Sequence, residues 1–177
     1  GDRLYNPAWG YQDGRVRNSR VRRETLPLLV ADYAVPLSEA ASLSLRLGAE
    51  AGVARYSMLD WYDARTPMPD NYRYLPSYTD DLETERAWLT RDPRYTQIDW
   101  AELYRRNRMQ PDGEALYALE DRVERPLRMQ AAIRIESEVD PQLTVACALK
   151  VDYDALRRYK QLRDLLGADR LTDIDHF

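Results

Sequence analysis

The stretch LRMQAAIRIESEVDPQLTVACALKVDY, Leu127–Tyr153, holds the clearest structural signal in the chain. Leu127, Met129, Ala131, Ile133 and Ile135 share one parity, and beyond Asp140-Pro141-Gln142 the alternation resumes with Leu143, Val145, Cys147, Leu149, Val151 and Tyr153. Side chains alternate between the faces of a strand, so a period of two across a short turn predicts a β-hairpin. With Val139 facing Leu143, Ile135 meets Cys147 and Met129 meets Tyr153 on one apolar face. The other face then collects Arg134, Glu136, Lys150 and Asp152.

The same period recurs upstream. In Ser42–Val53 the odd positions are Leu43, Leu45, Leu47, Ala49, Ala51 and Val53, while Arg46 and Glu50 fall on the even set. Pro27, Leu29, Ala31, Tyr33 and Val35 form a third apolar parity, joined to the second through residues 36–41. Pairing Val35 with Leu43 sets Asp32 opposite Arg46, a cross-strand charge pair worth about 0.2–1 kcal/mol. Hairpins are thus expected at about 25–55 and 124–155, with a long loop at about 56–123.

That loop differs in character, being rich in Asp, Arg, Pro, Tyr and Trp. Ile98, Trp100, Leu103, Tyr104 and Asn107 are spaced for a short helix entered after Asp92-Pro93. The stretch from Trp61 to Tyr78, with Pro67, Pro69 and Pro76, reads as an ordered but irregular loop. Trp61, Tyr62, Tyr72, Tyr74 and Tyr78 are the candidate ligand-contacting residues, because amphipathic rings offer large contact area at low entropic cost. Packing of the loop onto its neighbours is the competing reading of the same rings.

Composition narrows the chemistry. The chain has 177 residues, a length that suits a single unit, with 26 basic and 30 acidic side chains and a net charge of −4. No basic field exists for a phosphate backbone, so nucleic acid is not an expected partner. Mean hydropathy is −0.67, and the longest near-apolar run, Leu26–Ala31, ends at Asp32, so no transmembrane helix is expected. Thirteen Tyr and four Trp stand against one Phe, and nearly every aromatic ring therefore keeps a polar edge.

Cys147 and His176 are each alone of their kind, which argues against a disulfide, a Cys/His zinc site or a Cys–His nucleophile. Asp60, Asp63 and Asp70, or Asp173 and Asp175 with His176, lack a spacing that demands a metal. No phosphate loop, nucleophile elbow or HExxH is present, and no carboxylate pair stands out. The expectation is no catalysis, no cofactor and no metal.

Four strands of about ten residues with short connections at one end and long ones at the other fit a transmembrane β-barrel pattern. The apolar parity would face lipid, with Tyr33 and Tyr153 as girdle residues. Arg46, Glu50, Arg134, Glu136, Lys150 and Asp152 would face the lumen. A soluble α+β fold, with a small antiparallel sheet covered by the central helix, shows the same alternation.

Motifs in the long segments bear on this choice. The run Tyr5-Asn6-Pro7-Ala8-Trp9-Gly10-Tyr11-Gln12-Asp13-Gly14 with Arg17-Asn18, then Leu59-Asp60-Trp61-Tyr62-Asp63-Ala64 and Pro69-Asp70-Asn71-Tyr72-Arg73-Tyr74-Leu75-Pro76-Ser77-Tyr78, resembles the barrel of a Bacteroidetes group of TonB-dependent outer-membrane receptors. Ile98-Asp99-Trp100, Leu103-Tyr104, Asn107, Glu120-Asp121-Arg122-Val123, Tyr159–Gly167 and Asp173–Phe177 are similar to that group in the same order. The resemblance implies a mainly β fold: an internal barrel segment, with its extracellular loops, of a receptor for energy-coupled ligand uptake in the outer membrane. Its implied partners are the remaining barrel, the plug domain, TonB and outer-membrane lipid. The chain lacks a plug, a TonB box and a closing strand, whereas such barrels hold roughly 22 strands. The opening Gly1-Asp2-Arg3-Leu4 has neither a start methionine nor an apolar core, so the expectation is a piece of something larger.

Overall fold

Alternation becomes antiparallel pairing in the computed structural model, which describes residues 5–172. The protein is mainly β, 53% strand and 17% helix. Its strands are β1 (Trp9–Gln12), β2 (Arg15–Asn18), β3 (Arg22–Thr25), β4 (Leu28–Pro36), β5 (Ala41–Ala51), β6 (Val53–Trp61), β7 (Tyr117–Asp140) and β8 (Leu143–Asp164). β1 and β2 form a hairpin whose Asp13-Gly14 turn has φ of 50° and 75°. Two positive φ angles are what a tight primed turn requires, and Gly supplies one without steric cost. The larger sheet has the order β3-β6-β7-β5-β4, with β8 also paired to β7.

The expected register of the first hairpin is the observed one. Val35 pairs with Leu43 and Asp32 with Arg46, and the Arg46 Nε donates to Asp32 Oδ1 at 2.5 Å. β5 in turn aligns Leu45 with Ile133 and Leu43 with Ile135, which collects the apolar parities of β4, β5 and β7 on one face. For β7 and β8, the expected pairing of Met129 with Tyr153 sets Arg128 opposite Asp154 and Glu124 opposite Arg158. Both pairs are salt-bridged, at 3.5 and 2.9 Å.

Three features of the sheet differ from the expectation. The alternating segment Ser42–Val53 is interrupted at Gly52, where an added Cβ would collide with the Thr25 carbonyl oxygen. Pro27 stands outside β4 rather than within its apolar parity, since it has no N–H to give a ladder. The strands also outrun the expected hairpin limits, β7 with 24 residues and β8 with 22.

Where one short helix was expected in the long loop, there are a 3-10 turn at Tyr72–Tyr74 and four helices: α1 (Pro76–Thr79), α2 (Leu82–Thr90), α3 (Pro93–Thr96) and α4 (Trp100–Arg108). Asp81, Asp92 and Asp99 cap α2, α3 and α4, each carboxylate accepting from backbone N–H groups of the first turn. Pro93 follows its cap at the first helical position, where no N–H is needed.

The described residues divide into two compact units, although length alone suggested one. One takes the residues up to Arg22, Tyr56–Arg122 and those from Lys160 onward; the other takes Arg23–Arg55 and Val123–Tyr159. The first holds the core: Leu59, Met68, Ile98, Trp100, Leu103, Tyr117, Leu119 and Leu166 pack as a buried cluster. In the second, Val123 is the one buried apolar side chain among the described residues, while Leu29, Tyr33, Leu149 and Val151 are all more than half exposed.

Candidate ligand-contacting cleft

The frame around the cleft is built from the β1–β2 hairpin, α4 and the end of β8. Trp100 is fully buried, and its Nε1 donates to the Arg17 carbonyl at 3.1 Å. The Arg17 guanidinium lies 4.2 Å from the Trp100 ring centroid and donates to Asp164 Oδ2 at 2.7 Å and to the Tyr104 hydroxyl at 3.1 Å. At Asp164 burial pushes the pKa up, but the Arg17 and Leu166 N–H donors outweigh it and hold the carboxyl below its ordinary value. Gly10 lets β1 run against Ile98, whose N–H donates to the Trp9 carbonyl at 3.0 Å. A Cβ there would collide with the Ile98 carbonyl oxygen.

Asn107 is the hub of this frame. Its Nδ2 donates to the carbonyls of Tyr117 and Leu165 at 2.7 and 2.8 Å, and its Oδ1 accepts from the N–H groups of Leu116 and Tyr117 at 3.0 Å each. A short helix is thereby tied to the start of β7 and the end of β8 through one amide.

On this frame lie two adjoining recesses of about 420 and 710 Å³, sharing Arg65, Thr66, Arg73 and Tyr74 in their walls. Those volumes fall within the usual range of small-ligand sites. Trp61, Tyr72 and Tyr74 line the larger one, together with Asp63 and Asn71. Asn71 caps the Tyr72–Tyr74 turn, accepting from the Arg73 N–H at 3.1 Å.

The five sequence-selected rings thus part company. Trp61 and Tyr72 present exposed rings; Tyr74 is half-buried, its hydroxyl donating to the Thr66 carbonyl at 2.9 Å. Tyr78 meets Tyr72 edge-on at 5.3 Å between centroids. Tyr62 belongs to a different cluster, donating to the buried Glu120 at 2.5 Å, with Lys160 3.3 Å from the other oxygen of that carboxylate. Arg65 and Arg73 join the cleft without having been singled out from sequence. The available signal was arginine interleaved with aromatic residues across 61–74.

The six polar-face residues are all ion-paired along the strands: Arg46 with Asp32, Glu50 with Arg128 at 2.9 Å, Arg134 with Glu136 at 2.7 Å, and Lys150 with Asp152 at 3.0 Å. Asp60, Asp63 and Asp70 form no metal-holding group with other acidic, His or Cys side chains among the described residues. Asp173, Asp175 and His176 lie outside the described residues. Cys147 is exposed on β8.

In the smaller recess Glu102 accepts from Arg105 at 2.6 and 2.7 Å and from Arg106 at 2.7 Å. These hydrogen bonds hold its carboxyl at about 2, below the ordinary 4.5. As pH falls, the unfolded chain takes up this proton first. The stability Glu102 lends is therefore complete above 4.5 and disappears as pH drops towards 2. Replacing Glu102 with Gln should flatten the acid limb of a stability–pH curve followed by tryptophan fluorescence. The change should stay within about 1 kcal/mol, because the pair is partly solvated. An unchanged acid limb would refute this assignment.

No protein-family model matches the chain, and no curated protein matches it in sequence.

Proposed function

We propose that the chain is a barrel segment, with its outer loops, of a TonB-dependent outer-membrane receptor that takes up a ligand at the expense of energy delivered through TonB. The observation that carries this reading is the apolar parity of the second unit. Leu29, Tyr33, Leu47, Met129, Ile133, Leu149 and Val151 share one face and are exposed. Fully burying one such side chain gains about 1.5–3 kcal/mol, so a water-facing sheet of this kind forgoes its main stabilising term. Acyl chains supply the missing partner, and the ion-paired opposite face suits a polar lumen.

Connection lengths support the same reading. β4 and β5 are joined by four residues and β7 and β8 by two, whereas 55 residues separate β6 from β7. The edges β3, β4 and β8 need neighbouring strands, because unpaired backbone in hydrocarbon costs several kcal/mol per group. The remaining barrel and the plug would supply the other surfaces. Catalysis has no part in this role.

A soluble α+β binding module is the competing reading, and it needs a helix over the apolar face. All four helices belong to the first unit, to whose core α4 gives Trp100 and Leu103. The deciding experiment is partitioning. The purified chain should aggregate in plain buffer and gain β circular dichroism and protease protection in detergent or in vesicles with the neighbouring strands. A monodisperse monomer that melts cooperatively in buffer would overturn the membrane reading.

A further inference from the structure

The larger recess combines two arginines of unusual availability with stacking surface. Arg65 lies over the Tyr74 ring at 5.1 Å and Arg73 over the Tyr72 ring at 5.6 Å. Arg73 Nε is held by the Tyr72 hydroxyl at 3.0 Å. Neither guanidinium has a carboxylate partner among the described residues, whereas Arg94 and Arg106 of the smaller recess are paired with Asp92 and Glu102. A guanidinium held beside a ring, with no carboxylate on it, keeps terminal N–H groups for a planar acceptor. With Asp63 as the one acidic side chain in this wall, the recess retains a single net positive charge. That charge suits a monoanion better than a phosphate, which Asp63 would repel. Trp61 and Tyr72 supply exposed ring faces in the same wall.

We infer that this recess binds a carboxylate carried on a six-membered ring, the carboxylate on Arg65 and Arg73 and the ring against Trp61 and Tyr72. Two sources share that chemistry, a uronic-acid sugar and an aromatic carboxylic acid. The inference specifies the ligand of the proposed receptor loops and rests on that reading.

The test is calorimetric titration of the full chain folded in detergent, using a galacturonic acid trimer, a galactose trimer, 2,3-dihydroxybenzoate and sulfate as probes. Binding of the uronate, the aromatic acid or both is expected, with galactose and sulfate at least tenfold weaker. Arg65→Ala and Arg73→Ala should each weaken the bound acid by roughly tenfold. Arg65→Lys should not restore it, since an ammonium lacks the fork. Circular dichroism of each variant separates lost binding from lost folding. Failure of both acids to bind, equal binding of galactose or sulfate, or affinity unchanged in folded Arg65→Ala would overturn the inference. Partitioning is read on the same samples. A chain that inserts but binds neither acid sinks the ligand assignment alone, and a water-soluble chain that binds one sinks the membrane reading alone.

Discussion

Replacing Asn107 with alanine is expected to lower the stability of the loop-bearing unit by about 3–5 kcal/mol. The side chain is almost wholly buried and serves donors at Leu116 and Tyr117 and acceptors at Tyr117 and Leu165, two segments far apart in the chain. Truncation leaves the Tyr117 N–H and carbonyl, both buried, without their side-chain partner. Orphaned groups of this kind cost about 1–3 kcal/mol each. Asn107→Asp should be nearly as harmful, because a carboxylate keeps the acceptor but loses the Nδ2 donor and sets charge against two carbonyl oxygens. Denaturant titration followed by the fluorescence of the buried Trp100 measures both variants. Asn18→Ala is the contrast. Its Oδ1 accepts from the exposed Arg20 N–H at 2.9 Å, and a loss within about 1 kcal/mol is expected. Equal effects at Asn18 and Asn107 would contradict the hub role.

The second large effect concerns the apolar face. Leu47 sits in β5 between Ala31 of β4 and Ala131 of β7, and Leu47→Arg is expected to cost about 2–4 kcal/mol of folding in a bilayer, the usual price of a lipid-facing cation near midplane. Arg46, one residue away, points to the other face. Arg46→Ala removes only its solvated pair with Asp32 and should leave the folding yield close to that of the unaltered chain. The contrast between neighbours is the informative quantity. In a soluble sheet with an exposed face, Leu47→Arg would be harmless or would improve solubility. Folding yield into vesicles of defined lipid, measured by protease protection for both variants, distinguishes the cases. Equal yields for Leu47→Arg and the unaltered chain would remove the main support for a lipid-facing sheet.

How far the residues announce these features depends on the range of the interaction. The pairing of Asp32 with Arg46 was legible because strand period and turn length fix a register locally. The break at Gly52 was not, since it depends on the approach of Thr25 from another strand. Caps at Asp81, Asp92 and Asp99 carried recognisable local patterns, yet only α4 stood out by its apolar spacing. α2 and α3 hold few buried apolar residues, Ala87 being one, and thus show weak periodicity. At the cleft, Trp61, Tyr72 and Tyr74 were identifiable by type. Arg65 and Arg73 required knowledge of which guanidinium lacks a carboxylate, a property of three-dimensional neighbours.

The sequence by itself determined a mainly β chain with two tight connections, an apolar and a polar parity, and a long aromatic insert, because a two-residue period and turn chemistry are encoded over a few positions. Only the tertiary structure decided that Asn107, Trp100 and Arg17 are joints of a frame rather than ligand contacts, that Tyr62 turns to Glu120 while Trp61 and Tyr72 line a recess, and that the apolar face stays exposed. Each of those outcomes turns on hydrogen bonds and burial between residues tens of positions apart, where chain order places no constraint on who meets whom.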